Sequence, residues 1–357
     1  MPNILIIGNG FDLYHGLPTR YSDFLNLMKY WKVFFTSYKD DQDVQFDVSD
    51  YDKLPMDSRI EENMLRGLGR FRYLFLKENI IRMNRFVHSK NTWLKYFIDR
   101  YDEKEQWVDF ERDMEEAIQN VMEVFNGEKT SSIYFENFIT TYTDFTESDC
   151  QESIIHPIIL NRLKNDLDDF IEALRLYFVE FINKSSTGKR SSLFDNIVIN
   201  GVISFNYTDT FKNIYGQGRG ITIHNIHGDI GNKNLVLGIK DENDIDNRFV
   251  YFKKYFQRIQ KRTGLRYKVW TNSQRAIGGD ITFYVIGHSL DNTDGDILRE
   301  VIKSATTKRV IIYHHNQTAY ENQVINLIEV LGKDVFLDYY ENKKIEFKQL
   351  PPIEKFS

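Results

Sequence analysis

The sequence predicts an α/β protein of three layers, built on a parallel sheet and carrying a large helical insertion. Three observations carry that prediction. A continuous apolar run, Ile4-Leu5-Ile6-Ile7, opens the chain and is broken at once by Gly8-Asn9-Gly10. After residue 192, strand-like and helical stretches alternate, the pattern of a parallel sheet with crossover helices. Between these parts, apolar residues recur at helical spacing over roughly 160 residues, a length suited to a domain of its own.

The first run has branched aliphatic residues on consecutive positions, which suits a strand buried on both faces. The glycines after it let backbone approach a ligand closely, and a helix starting there aims its amides at an anion. In open α/β sheets this place, the carboxyl end of the first strand, is where nucleotides bind. The spacing departs from the dinucleotide fingerprint: Leu13 stands where a third glycine belongs, and no acidic residue ends a second strand about twenty residues on. Residues 23–38 read as a helix with Phe24, Leu25, Met28 and Trp31 on one side, and residues 38–57 as an acidic loop. Helical spacing returns over 60–98, with Leu65, Leu68, Phe71, Leu74, Phe75 and Ile80. Trp107, Phe110, Met114, Ile118 and Val121 mark another helix, and residues 161–181 a long amphipathic one.

From residue 193 onward, strands are read over 197–205, 221–226, 235–239, 281–286, 309–313 and 335–340, and helices over 249–263, 294–304 and 317–331. The organisation predicted is a discontinuous Rossmann-like nucleotide-binding domain, residues 1–22 and 193–357, with residues 23–192 as the helical insertion domain.

Composition narrows the function. Hydrophobic residues make up 41% and charged residues 27% of the 357 positions, typical of a globular chain. Aromatic content of 15% predicts an aromatic-rich core. A formal charge of −6 gives no overall attraction to nucleic acid or to an anionic membrane. The single cysteine, Cys150, excludes an internal disulfide and a four-cysteine zinc site. No apolar stretch is long enough to span a bilayer, and the N-terminal run is too short for a signal peptide and lacks a basic flank. These features point to the cytoplasm. The oligomeric state stays open.

Four polar clusters fall at the ends of strand-like runs: residues 8–12, residues 204–209 (Ser-Phe-Asn-Tyr-Thr-Asp), residues 224–229 (His-Asn-Ile-His-Gly-Asp), and residues 287–291 (Gly-His-Ser-Leu-Asp) with Asp294 and Asp296 beyond. Strand ends of one polarity share an edge, so the four are expected to converge on one crevice. Each has a plainer alternative. Asn206 and Thr208 suit the cap of a helix beginning near Asp209, and Asp294 the cap of the next. His227 suits a structural histidine. His224 and His227 lack a third partner at metal-ligand spacing, so no metal is expected.

Gly8-Asn9-Gly10-Phe11-Asp12, Gly16-Leu17-Pro18-Thr19, Ser204-Phe205-Asn206-Tyr207-Thr208, His227-Gly228 and Gly287-His288-Ser289-Leu290 together resemble the AbiH family of bacterial phage abortive-infection proteins, as does Trp107-Val108-Asp109-Phe110-Glu111. In order, though more distantly, they are similar to the SIR2 fold. There a G-A-G-x-S-x-x-x-G-[IL]-P loop precedes an N-x-D segment, an H-G pair and a G-[ST]-S loop. Asp12 replaces the serine of the first motif and Thr208 the aspartate of the second, and the zinc module of sirtuin deacylases is missing. The resemblance therefore implies a SIR2-like nucleotide crevice and NAD hydrolysis, the activity of defence-associated SIR2-like proteins, rather than protein deacetylation. It also implies a phage-derived trigger or partner protein.

On that reading Asn206, His227 and Asp12 are catalytic. Asn206 positions the ribose or the attacking water, His227 accepts a proton, and Asp12 bonds a hydroxyl or stabilises developing positive charge. Gly8, Asn9, Gly10, Phe11, Gly16, Thr208, Gly228, Gly287, His288 and Ser289 form the binding surface, with phosphates held by the backbone of 8–10 and 287–289. NAD+ or a related nucleotide is the substrate, and no further cofactor is required. Two alternatives stand beside this one: a nucleotide-binding sensor without turnover, and a metal-dependent nuclease using Asp338 with Glu346-Phe347-Lys348 as a D…E-x-K pattern.

Overall fold

The computed structural model describes residues 2–31, 35–38, 43–46, 76–103, 109–127, 138–183, 189–195, 197–216, 220–240, 246–264, 267–268, 271–273 and 279–355. Leu65, Leu68, Phe71, Leu74, Phe75 and Trp107, which carry part of the helical pattern, lie outside them. The chain divides into two compact units, one of Met1–Thr19, Ser185–Val236 and Arg258–Ser357, the other of Arg20–Lys184 and Leu237–Gln257.

The first unit is a three-layer α/β structure. Its sheet strands are β1 (Asn3–Ile7), β2 (Gly201–Ser204), β3 (Thr222–Asn225), β4 (Ile281–Ile286), β5 (Thr307–His314) and β6 (Ile345–Gln349). Its helices are α1 (Asn9–Tyr14), α2 (Thr210–Tyr215), α3 (Gly295–Lys303), α4 (Gln317–Leu331) and α5 (Lys333–Glu341). The strand order is β3-β2-β1-β4-β5-β6, parallel throughout. This is the 3-2-1-4-5-6 order of doubly wound sheets, which reverses between β1 and β4.

Alternation along β1 explains the layers. Ile4 and Ile6 face a core with Phe283 and Val285 of β4, Leu298, Val301 and Ile302 of α3, and Leu327 of α4. Leu5 and Ile7 face a second core with Phe11 of α1, Phe211 and Tyr215 of α2, and Phe194. Burial on both faces is why the run reads as continuously apolar.

Two strand readings are corrected. Residues 335–340 are not the last strand but the body of helix α5. Their run of Val, Phe, Leu and Tyr favours a strand locally, but after Gly332 the stretch coils so that Phe336 packs into the core while Leu337 and Tyr340 stay exposed. The last strand of the sheet is β6, Ile345-Glu346-Phe347-Lys348-Gln349, whose alternation is that of an edge strand paired on one side only. Residues 235–239 form no strand either. Leu235, Val236, Leu237 and Ile239 are fully buried, yet their amides bond singly: Val236 to the His227 carbonyl, Leu237 to Gln257 Oε1 and Ile239 to the Phe252 carbonyl. A short buried apolar run does not reveal whether a neighbouring strand exists.

The second unit is mainly helical, with helices Tyr21–Lys29, Lys77–His88, Thr92–Glu103, Phe110–Phe125 and His156–Tyr177 as its main pieces. Its centre is aromatic: Phe97 and Phe170 pack on Phe110, Phe24 meets Phe170 edge-on, and Tyr21 stacks on Phe110. The helical spacing over 60–98 resolves, where described, into two helices broken at Asn91, whose side chain accepts from the Leu94 amide. Residues 35–38 are not helical. They form a strand antiparallel to Asp43–Phe46. Asp109 caps the helix Phe110–Phe125 by accepting from the amides of Glu111 and Arg112, and Glu111 pairs with the buried Lys254 at 2.7 Å.

Candidate functional site: the carboxyl edge of the sheet

At the switch point the turns after β1 and β4 touch backbone to backbone. The Gly8 amide donates to Ile286, the Gly10 amide to Gly287 at 2.8 Å, and the Phe11 amide to Gly8. A Cβ on Gly287 would lie 2.0 Å from the Phe11 nitrogen and 2.3 Å from the Gly10 carbonyl carbon, and its φ is +68°. The glycines at 10 and 287 are thus explained by the approach of one turn to the other. These amides, which the sequence reading assigns to phosphates, are bonded to carbonyls. The Phe11 side chain lies wholly in the core against Phe194 and Phe211. Asn9 and Ser289 are exposed at the rim, as is Gly16 after α1.

Between β1 and β2 the edge is polar and closed. Asp12, 1% exposed, accepts at 2.7 Å from the Thr208 hydroxyl, which also meets the Thr210 hydroxyl at 3.0 Å. Its other oxygen, Oδ1, has no partner. Burial raises the Asp12 pKa to about 6, against the lowering effect of Thr210, Thr208 and Asn206. Asn206 lies near enough to favour the ionised form, yet neither its Nδ2 nor its Oδ1 makes a hydrogen bond of acceptable length and angle. Both atoms are buried. Helix α2 is flanked by Asp209, with no side-chain cap, so neither Asn206 nor Thr208 serves the capping role their types suggest.

Beyond β3 and β4 stands a second cluster. His227 Nε2 lies 2.9 Å from Asp294 Oδ1, and His288 Nε2 lies 3.8 Å from Asp294 Oδ2. All three residues are buried. Phe205 packs edge-on against both imidazoles, at 5.4 and 4.3 Å between centroids. The backbone holds each histidine: the His227 carbonyl accepts from Val236, and Gly228 (φ +78°) lies so close to Asn234 that a Cβ would meet its carbonyl oxygen at 2.1 Å. His288 Nδ1 accepts from the Leu290 amide at 2.8 Å, and Leu290 is itself left-handed at φ +61°. Asp294 stands at the cap of α3, but its carboxylate turns to the histidines instead of the helix amides. The sequence signal for this was present, an aspartate six residues beyond His288, and was masked by the equally good capping explanation.

The two clusters lie along one edge, linked through the turn contact: a Cβ on Gly8 would touch His288 at 2.8 Å. Asp12, Asn206 and Thr208 are brought together, and so are His227, His288 and Asp294. The D…E-x-K residues are otherwise engaged, Asp338 with Asn342 and Glu346 with Arg309. Among the described residues no three His, Cys, Asp or Glu side chains are grouped to hold a metal ion.

Behind Asp12, α1 is anchored by His15, which bonds the Phe11 carbonyl through Nδ1 and the Tyr215 hydroxyl through Nε2. Burial lowers its pKa to about 4, opposed by the Phe11 bond and assisted by Lys189. Asp12 and His15 give stability opposite pH slopes. For Asp12, ionising near 3.8 unfolded and about 6 folded, the folded state holds the extra proton between those values. Its contribution therefore falls as pH rises through them and is a cost above them. For His15, near 6.5 unfolded and about 4 folded, the unfolded chain holds the extra proton. Its contribution is complete above 6.5 and is lost as pH falls toward 4. In urea unfolding, Asp12→Asn is expected to equal wild type near pH 4 and to exceed it near pH 7 by on the order of 2–3 kcal/mol. A difference that stays flat across that range contradicts the burial of an ionisable Asp12.

Fold and edge together define a doubly wound α/β protein with a polar strand-end site. A family model described as bacteriophage abortive infection AbiH matches residues 4–315, and the chain belongs to that family, which gives it a role in phage abortive infection. No curated protein and no solved structure matches it. No helix among the described residues is long and apolar enough to cross a membrane.

Proposed function

We propose that this edge hydrolyses NAD+ or a related nucleotide as the abortive-infection activity. The observation that carries the reading is Asn206, buried beside the Asp12 carboxyl with neither amide atom in a hydrogen bond of full length and angle. Buried polar groups are almost always satisfied, so a bound group offering both a donor and an acceptor, such as a ribose hydroxyl, completes this place. In the reaction water attacks the ribose C1′, the N-glycosidic bond breaks, and its electron pair leaves with nicotinamide. His227 takes the proton of the water. Asp12, mostly ionised at neutral pH, stabilises the oxocarbenium-like charge. The products are nicotinamide, ADP-ribose and a proton, and no cofactor is consumed. The protein acts in the cytoplasm, under a phage-derived trigger or partner.

Incubation of the purified protein with NAD+, NADP+ and ATP, with the products separated by chromatography, tests this. Nicotinamide release from a dinucleotide with ATP left intact is expected, and His227→Gln, which keeps a donor toward Asp294 but cannot act as a base, is expected to lose it by about 10²–10⁴-fold. A second reading is binding without turnover. Tight NAD+ binding with no product, even in extracts of infected cells, selects that reading.

A further inference from the structure

We infer that the helical unit carries a binding site of its own, a cavity whose wall suits a mononucleotide. It is lined by residues within 87–98, 142–144 and 162, all of them in that unit. The inference does not rest on the hydrolase reading above.

The cavity measures about 460 Å³, within the roughly 300–1,000 Å³ of small-molecule sites. Part of its wall is apolar, from Val87, Leu94 and Ile98, and part is cationic, from Lys90, Lys95 and Arg162. Asp144 is the one carboxylate among the described lining residues. The cations are held, but not used up. Arg162 donates through Nε to Asp166 at 3.0 Å and through Nη2 to the Lys90 carbonyl at 3.2 Å, while Nη1 donates to no described residue. Lys95 donates to the Thr141 carbonyl at 2.8 Å and makes no ion pair among the described residues. Lys90 meets Asp144 at 3.3 Å, and both are exposed, so water screens that pair. Behind the wall, Asp166 offsets Arg162, and Asp99 lies close enough to feel the charge of Lys95.

An account of donors and acceptors gives the ligand's chemistry. Ser89 spends its hydroxyl hydrogen on the Phe86 carbonyl, and Thr143 spends its own on the Ile139 carbonyl. Asn91 is buried with both ends of its amide bonded, one to the Asp166 carbonyl and the other by the Leu94 amide. What the wall still offers is hydrogens on three cations, and lone pairs on two hydroxyls and Asp144. An acceptor-only group such as a phosphate meets the cations. Groups that donate, such as ribose hydroxyls, meet the lone pairs. A flat base covers the apolar side. Inorganic phosphate would leave the apolar side bare, and an uncharged nucleoside would leave the cations unmet. A mononucleotide satisfies all three parts of the wall.

Calorimetric titration of the full chain with AMP, adenosine and inorganic phosphate at low salt tests this. AMP is expected to bind at least about tenfold more tightly than either of the others. Lys95→Gln removes an exposed charge and is expected to weaken AMP by about tenfold while leaving adenosine within about twofold. Asp144→Asn removes the carboxylate of the wall and is expected to tighten AMP by about threefold. AMP that binds no more tightly than adenosine overturns the inference. So does AMP whose affinity ignores both substitutions, since it then binds elsewhere on the chain. No turnover is needed, so failure here leaves the hydrolase reading standing, and failure of that reading leaves this site standing.

Discussion

Asn206→Ala is expected to remove nucleotide cleavage by at least about 10²-fold while leaving the ligand-free protein within about 1 kcal/mol of wild-type stability. The two halves of that result have one cause. In most buried positions an asparagine is bonded, and its loss strands a partner. Here neither amide atom makes a hydrogen bond of full length and angle and only its support of the ionised Asp12 is lost, so truncation relieves a desolvation cost at the same time as it opens a small cavity. A group kept at such a cost is kept for what binds it. Thermal unfolding beside product release reads both halves. A variant that unfolds far below wild type would mean that Asn206 is structural.

Gly287→Ala is expected to be severely damaging, with a loss of more than about 4 kcal/mol. The added Cβ meets the Phe11 nitrogen at 2.0 Å and the Gly10 carbonyl carbon at 2.3 Å, and these are backbone atoms that no side-chain rotation can move. The turn after β4 would have to part from α1, breaking the bond between Gly10 and Gly287 and loosening Phe11 in its core. Gly220→Ala is the control. Its φ is +59° with nothing within 4 Å of a built Cβ, so only the left-handed backbone is penalised, by about 1–2 kcal/mol. Urea midpoints of the two variants should differ clearly. Equal effects would mean that the close approach of the two turns is not what the glycine is for.

How much of this was legible in the residues follows from the physics of each element. The strand Ile4–Ile7 is read correctly because burial on both faces leaves an unbroken apolar run, and Ile281–Ile286 for the same reason. Residues 335–340 are misread because tertiary packing of Phe336 overrides a local preference for strand, while the true edge strand at 345–349 hides in a lysine- and glutamate-rich tail. Residues 35–38 are misread because apolar spacing continues past the end of the helix Tyr21–Lys29. In the site, strand-end position alone brings Asp12 to Thr208 and His227 to the same edge as His288. What no spacing reveals is that Gly10 and Gly287 face each other; the step from His288 to Asp294 is visible in the sequence, but not that the carboxylate turns to His288 in its own loop and to His227 from another strand end instead of to its own helix.

The most direct measurement is the intracellular NAD+ level during phage infection, in cells carrying the wild-type chain and in cells carrying Asn206→Ala. Hydrolysis at the strand edge predicts that NAD+ falls in the wild-type cells before lysis and holds steady with the variant, with protection lost in step. Protection by wild type at a constant NAD+ level, unaffected by Asn206→Ala, would contradict it.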